Sequence, residues 1–290
     1  METNKPPRIS IVIPCYNGAK YIRETLDCLQ NQTVDDWECI IVNDGSIDNT
    51  LEILKEYAAK DARYKYIDKE NEGPSIARNT AIAASLGKYI LPLDADDLIA
   101  PYYAEKAISY LEKHANCKVV YGQAEFFYGK TGIWDLPEYN YESELWENAI
   151  FCTAVYRRTD YDKTIGYNPN MKYGNEDYDF WLTLLGKDDE VYKIPETVLY
   201  YRKHGYSRAS FLSGNQEKAL NQMIMNHLDR YEPFLWQAFK MKDTEDYYRK
   251  EIDDLLNSRT YKIGKMFTLP LNWFNKISKI ILLLFNKVWS

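Results

Sequence analysis

Three carboxylates follow directly on an apolar run in KYILPLDADDLIAP, residues 88–101. Asp94, Asp96 and Asp97 therefore end a strand that the sequence predicts to be buried. Carboxylates crowded in this way repel one another unless a cation or a hydrogen-bonded ligand lies between them. Mg²⁺ and Mn²⁺ prefer oxygen ligands and commonly take one or two carboxylates together with substrate phosphates. At this spacing one carboxylate could bind ribose hydroxyls while another holds a metal on a diphosphate; the alternative is a solvated turn.

Two further polar segments follow other predicted strands. Asp44, in the segment VNDGS, could accept a hydrogen bond from a nucleobase or a ribose, or could simply form an Asp-Gly turn. Arg78, in the segment ENEGPSIARN, could bind a base or a phosphate, or could pair with a surface carboxylate. Neither segment decides between its two interpretations when it is taken alone.

Later in the chain, acidic and basic side chains occur in two aromatic-rich segments. In YGNEDYDFW, Asp177 with its neighbour Glu176 could act as a general base toward a hydroxyl group. The alternative is a helix N-terminus, where acidic residues suit the helix dipole. In YYRKHGYS, Arg202 and His204 alternate along an extended segment and so share a face, where they could contact a phosphate or complete a metal shell.

The elements that must position these groups alternate along the chain. Strands and helices at this spacing imply a parallel sheet with helices on both faces. Ligands of such sheets bind at the carboxyl ends of the strands, so the segments PCYNG, NDG and DADD should meet at one edge. The predicted strands are 8–14, 37–44, 64–68, 88–94 and 118–128, and the predicted helices are 19–31, 46–59, 74–86 and 101–114.

Composition excludes several other classes of protein. The 290 residues suffice for one large domain, or for a domain with a smaller appendage. The five cysteines are scattered without a CxxC pair, which argues against a disulfide framework or a zinc site and favours a reducing compartment. There is no G-x-G-x-x-G and no P-loop motif. The N-terminal segment lacks the pattern of a signal peptide, and the net charge of −7 gives no reason to expect a nucleic-acid partner.

Six motifs in order carry a resemblance: SIVIPCYN, VNDGSIDNT, EGPSIARNTAI, GKYILPLDADD, GNEDYDFWLTL and YYRKHGYS. In these motifs and their spacing the chain resembles the family 2 glycosyltransferases over about residues 8–210. The resemblance implies an α/β GT-A fold, a Rossmann-like nucleotide-diphospho-sugar transferase with a mostly parallel sheet. It also implies a nucleotide-diphospho-sugar donor, commonly a UDP-sugar, with Mg²⁺ or Mn²⁺, and transfer to an acceptor hydroxyl with inversion.

The resemblance assigns roles to the residues at the matching positions. The donor-binding residues would be Pro14, Tyr16, Asp44, Arg78, Asp94 and Arg202. The metal ligands would be Asp96, Asp97 and His204. Asp177 would be the general base, with Glu176 beside it. Pro14, Tyr16 and Asp44 would line the base pocket, whereas Asp94 would meet the ribose.

The same resemblance suggests how the chain is divided. We expect a transferase domain at 1–213, with a nucleotide-sugar-binding half at about 8–125 and an acceptor-binding half at 126–213. A helical extension at 214–257 and a basic tail at 258–290 would follow. Processive family members carry a Q-x-x-R-W motif and several membrane spans. This chain has neither, so we expect single additions in cell-surface polysaccharide or glycolipid assembly.

The tail at 258–290 contains six Lys or Arg residues and no Asp or Glu. Its apolar residues recur at helical spacing, and a basic amphipathic helix with Trp at both ends suits the membrane interface. We therefore expect a cytoplasmic protein at the inner face of the cell membrane, acting on a sugar or lipid-linked sugar acceptor. The alternative is a helix that packs on protein. The apolar positions are Trp273, Ile277, Ile280, Ile281, Leu284 and Val288.

Two other functions remain open from the sequence. One is a nucleotide-sugar-binding module of the same fold that has lost catalysis, although both acidic clusters are present. The other is a phosphohydrolase of the haloacid dehalogenase type, which also places a DxD at a strand end. The second leaves the motifs before residue 80 unexplained.

Overall fold

The computed structural model describes residues 6–203, 213–240 and the single positions 250, 253, 254 and 257. His204 and the tail at 258–290 therefore lie outside the described residues. The chain divides into two compact units, residues 1–213 and 214–290.

The first unit begins with alternating strands and helices, as the sequence predicts. Strands β1 to β4 pair in the order β3-β2-β1-β4, and each of these pairs is parallel. Every residue of β2 is buried, and only Pro14 of β1 is partly exposed, which explains their nearly continuous apolar sequences. The elements are β1 Ile9–Cys15, α1 Ile22–Leu29, β2 Trp37–Asp44, α2 Thr50–Lys60, β3 Tyr64–Lys69, α3 Pro74–Ala84 and β4 Tyr89–Pro92.

The sheet continues beyond β4 with mixed strand directions. The order is β4-β8-β6-β9-β5, with β7 on the side of β6; β6 and β9 are parallel and the other new pairs are antiparallel. The parallel pairing that the sequence predicts is found among the first four strands and between β6 and β9, and the other pairs of this half are antiparallel. The elements are β5 Leu98–Ile99, α4 Tyr103–Lys113, β6 Cys117–Tyr128, β7 Gly132–Trp134, α5 Tyr141–Glu144, β8 Val155–Arg157, α6 Arg158–Tyr161, α7 Glu176–Leu184 and β9 Glu190–Lys203.

Helix α1 is shorter than the apolar pattern predicts. It begins at Ile22 rather than at residue 19, because residues 16–20 form the loop after β1 and bond to the loop after β2. A polar contact also fixes the start of β1, where the buried Ser10 hydroxyl donates to Glu38 Oε1 over 2.7 Å. All five cysteines are free, as their spacing indicates.

The second unit is helical where it is described. A 3₁₀ turn at Ser213–Asn215 leads into α8, Gln216–Asn226, and then α9, Leu228–Lys240. This agrees with the helical pattern predicted after Gly214. Among the described residues, no helix combines the length and the apolar content needed to cross a bilayer.

Candidate active site

The loops after β1 and β2 are joined by hydrogen bonds at the carboxyl edge of the sheet. The backbone N–H of Asn17 donates to Ser46 Oγ over 2.8 Å, and the backbone N–H of Gly18 donates to Thr50 Oγ1 over 2.9 Å. Asn17 adopts a left-handed conformation with φ of 52°. Tyr16, which precedes Asn17 in the loop after β1, is 54% exposed, and an exposed aromatic ring can stack against a flat ligand.

Asp44, at the end of β2, has both carboxylate oxygens occupied within the protein. Its Oδ1 accepts from the Glu72 amide over 3.0 Å and pairs with Lys69 Nζ over 3.1 Å, and its Oδ2 accepts from the Gly73 amide over 2.8 Å. Asp44 therefore fixes the loop that opens α3. Its contact with a nucleobase, and that of the partly exposed Pro14, remain predictions.

The DADD segment forms a turn between β4 and β5. The Asp97 amide donates to the Asp94 carbonyl over 3.2 Å, and the side chains of Asp94 and Asp96 are partly exposed. Asp97 is 2% exposed, and its Oδ1 accepts from the Arg202 amide over 2.8 Å. Burial, reinforced by the negative charges of Asp96 and Asp94, raises the pKa of Asp97 well above its usual range.

The Arg202 guanidinium supports this turn from the end of β9. Its Nε donates to the Asp96 carbonyl over 2.7 Å, and its other arm pairs with Glu24 Oε2 over 2.9 Å. The guanidinium also lies over the rings of Tyr21 and Phe127, at 4.6 and 4.4 Å from their centroids. The contact with a diphosphate stays a prediction, because these groups already engage the side chain.

Arg78 lies between the two acidic clusters, and its role in donor binding remains a prediction. Its two terminal nitrogens pair with Asp94 Oδ1 over 2.7 Å and with Glu176 Oε1 over 2.8 Å. The residue is 3% exposed, and Glu176 is buried as well. One guanidinium therefore joins the DADD turn to the start of α7, and this ion-pair bridge is the central geometric feature of the site.

Helix α7 begins in a backbone conformation that few residues adopt. Gly174 has φ of 107° and Asn175 has φ of 59°, after which Glu176 and Asp177 open the helix. Burial and then the negative charge of Glu176 raise the pKa of Asp177 to about 6, while the positive charge of Arg78 opposes the shift. A carboxylate of this kind is ionised at neutral pH and more basic than an ordinary Asp, as a general base requires.

Two supporting residues, Glu144 and Glu24, lie outside the six motifs, so the motifs could not predict them. Glu144 of α5 is buried, accepts from the Ala149 amide over 3.0 Å, and has its pKa raised to about 8 by burial, with a contribution from the charge of Asp177. Its carbonyl accepts from the Tyr178 hydroxyl over 2.5 Å, which links α5 to α7. Glu24 of α1, the partner of Arg202, was likewise not predicted.

The partly exposed carboxylates of the DADD turn suit a hard divalent cation. Asp94 and Asp96 present oxygen donors at the carboxyl edge of the sheet, which is the ligand type that Mg²⁺ and Mn²⁺ prefer. Across residues 6–203 and 213–240, no group of three or more His, Cys, Asp or Glu side chains is arranged to hold a metal. The ligand set of Asp96, Asp97 and His204 therefore stays a prediction.

Comparisons with known proteins agree with this architecture. Residues 10–180 match the family described as Glycosyl transferase family 2. EpsH of Bacillus subtilis (strain 168), named as a glycosyltransferase, is 30% identical over 272 residues, covering 88% of this chain and 75% of EpsH. The hyaluronan synthase of Pasteurella multocida is 29% identical over 268 residues, covering 90% of this chain and 26% of the synthase.

Comparison with solved structures identifies the fold. The crystal structure of S. aureus TarS in complex with UDP-GlcNAc superimposes with a TM-score of 0.62 at 21% identity, covering 91% of this chain and 77% of TarS. The GT-A fold expected from the six motifs is thus confirmed. With the family match extending over more than half of its length, the chain belongs to the family 2 glycosyltransferases.

Proposed function

We propose that this glycosyltransferase moves a sugar from a UDP-sugar to an acceptor hydroxyl with inversion at the anomeric carbon. The observation that carries the proposal is the Arg78 bridge, which holds Asp94 and Glu176 at 2.7 and 2.8 Å from one guanidinium. A donor bound at the DADD turn would then lie next to Asp177, the more basic carboxylate of the site.

The chemistry follows from the two carboxylate groups. Asp177 takes the proton of the acceptor hydroxyl while that oxygen forms a bond to the anomeric carbon. The bond between this carbon and the diphosphate breaks, and its electron pair leaves with the nucleotide. Because the hydroxyl attacks from the side opposite to the leaving group, the configuration at the anomeric carbon is inverted.

The DADD turn would serve the donor half of the reaction. Asp94 would hold the ribose, and Asp96, with Asp97 and His204, would hold Mg²⁺ or Mn²⁺. When bound, such a cation neutralises the charge that develops on the leaving diphosphate. Tyr16, Pro14 and Asp44 would form the base pocket, and Arg202 would approach the diphosphate.

The relatives support the donor and the pathway class. TarS is solved with UDP-GlcNAc, and a hyaluronan synthase aligns with most of this chain. We propose single additions in the assembly of a surface polysaccharide or glycolipid, at the inner face of the cell membrane, with the tail at 258–290 as a peripheral contact. Flotation of the full chain and of a 1–257 truncation with anionic liposomes tests the tail; equal behaviour would refute its role.

Release of UDP from a panel of UDP-sugars tests the central proposal. We expect release that depends on Mn²⁺ and that falls by about 10²- to 10⁴-fold in Asp177→Asn. Asp96→Ala should abolish the response to Mn²⁺. Binding of UDP without turnover of any sugar would favour the inactive module, and release of inorganic phosphate would favour the phosphohydrolase.

A further inference from the structure

Three aromatic rings cluster where β6, β7 and β9 meet. Phe126 and Tyr201 are register partners on neighbouring parallel strands, and Trp134 comes from the short strand β7 on the other side of β6. The ring centroids of Phe126 and Trp134 are 5.3 Å apart, and those of Trp134 and Tyr201 are 4.9 Å apart. We call Phe126, Trp134 and Tyr201 the aromatic platform.

The platform differs from the aromatic residues of the core. Tyr121, Phe180 and Trp181 are fully buried, whereas all three platform residues are partly exposed. Cross-strand packing of aromatic rings stabilises a hairpin by itself, so the contacts alone do not indicate a ligand. Whether the platform only packs the hairpin or also binds a ligand depends on its position relative to the DADD turn and Asp177.

One end of the platform adjoins the DADD turn. Tyr201 directly precedes Arg202, whose backbone amide donates to Asp97 and whose Nε donates to the Asp96 carbonyl. Burial, and then the negative charges of four carboxylates, raise the pKa of the Tyr201 hydroxyl. Three of those carboxylates, Asp97, Asp94 and Asp96, lie in the DADD turn, and the fourth is that of the proposed base, Asp177.

The other end of the platform leads to helix α7. The segment after Trp134 is held by Lys193 Nζ, which donates to the Leu136 carbonyl over 3.1 Å, and it continues into α5. Helix α5 receives the Tyr178 hydroxyl, and Tyr178 follows Asp177 directly. The hairpin that carries Trp134 is therefore tied to the element that carries the proposed base.

We propose that the aromatic platform is the stacking surface for the acceptor sugar. This inference rests on the proposed function and adds the class of acceptor: a pyranose with an axial-hydrogen face that lies flat on an aromatic ring. The electron-rich face of an aromatic ring attracts weakly positive C–H groups, and the partly exposed rings shed water when a sugar covers them. The nearby carboxylates then select a hydroxyl rather than an anionic group.

Saturation-transfer NMR tests this with methyl β-glycosides of glucose, galactose, mannose and N-acetylglucosamine as probes, each mixed with UDP and Mg²⁺, which is diamagnetic. We expect at least one glycoside to receive saturation on its ring C–H protons from the wild-type protein. Trp134→Leu, which keeps apolar packing but removes the ring, should weaken that binding about three- to tenfold. Trp134→Phe should restore most of it.

Ile133→Ala is the matched control, because Ile133 is the neighbour of Trp134 in β7, points to the opposite face and is 65% exposed. It should leave glycoside binding unchanged, and the UDP signal should be the same in every variant. Binding of UDP without binding of any glycoside, or equal glycoside binding by Trp134→Leu, would refute the platform alone. A wild-type protein without a UDP signal would refute the proposed function, and with it the acceptor role of the platform.

Discussion

Arg78→Met is the most informative perturbation of this site. Methionine keeps the unbranched apolar stem but removes the guanidinium that pairs with Asp94 and Glu176. The two pairs differ in environment, since the Glu176 side chain is 8% exposed and that of Asp94 is 36% exposed. Solvent can screen Asp94 after the substitution, but the buried carboxylate of Glu176 would lose its ion pair with Arg78.

The expected loss of stability follows from this difference in exposure between Glu176 and Asp94. Removal of one partner of a buried ion pair destabilises a protein by about 3–5 kcal/mol, and the solvent-screened pair adds little. A loss of about 3 kcal/mol corresponds to a fall in melting temperature of roughly 6–12 °C for a unit of this size. Because the Arg78 charge also opposes the rise in the pKa of Asp177, its removal should move that pKa above about 6.

Two measurements separate this bridge from a role in donor binding. Urea denaturation of Arg78→Met, Glu176→Gln and the double variant forms a cycle, in which the double variant should recover much of the stability lost in Arg78→Met, because both charges of the pair are then removed. The pH profile of UDP-sugar turnover by Arg78→Met should show its acidic limb displaced to higher pH. Arg78→Lys tests geometry, since it keeps the charge but loses the two-armed contact.

Some results would contradict the bridge. Arg78→Met with wild-type stability and an unmoved acidic limb, but with weaker UDP binding, would return Arg78 to the donor-binding role that the motif suggests. Strict additivity in the urea cycle would show that Arg78 and Glu176 do not interact in solution.

Three further predictions address other parts of the site. Turnover should fall about tenfold for each pH unit below about 6, because the pKa of Asp177 lies near 6 and the base acts only when deprotonated; Asp177→Asn should remove this limb along with the activity. UDP with Mn²⁺ should raise the melting temperature of the wild-type protein, and Asp96→Asn should lose the part that requires Mn²⁺. Gly45→Ala should cost about 1–3 kcal/mol in urea denaturation, because Gly45 has φ of +75° and a Cβ there would lie 2.7 Å from the Asn71 amide nitrogen.

The parallel half of the sheet could be predicted because its signals are local. Each strand is a short apolar run that ends in a turn motif, and the carboxyl ends of such strands must share an edge. The mixed half carries weaker patterns, since β5, β7 and β8 are two or three residues long and depend on long-range pairing. The predicted start of α1 was wrong because the residues before Ile22 form a loop whose backbone amides make hydrogen bonds outside the helix.

The partners inside the site could not be predicted for the same physical reason. Arg78 and Glu176 are 98 positions apart, and Arg202 and Glu24 are 178 positions apart, so neither pair leaves a spacing signal. The sequence indicated which residues carry charge at the edge of the sheet. It did not indicate which charges face a ligand and which pair with one another, because that depends on the packing of α1, α3 and α7 around the turn.

The two arginines explain how the DADD turn is held before any donor arrives. Arg78 pairs with Asp94 on one side, and Arg202 binds the Asp96 carbonyl and the Asp97 carboxylate from the other. A turn fixed in this way need not reorganise when a diphosphate binds, which lowers the cost of preparing the site. Because Arg78 also holds Glu176, a shift of the turn would be transmitted to the helix of Asp177. In the proposed mechanism, Arg78 therefore couples the donor site at the DADD turn to the base Asp177, and loosening Arg78 should disturb both together.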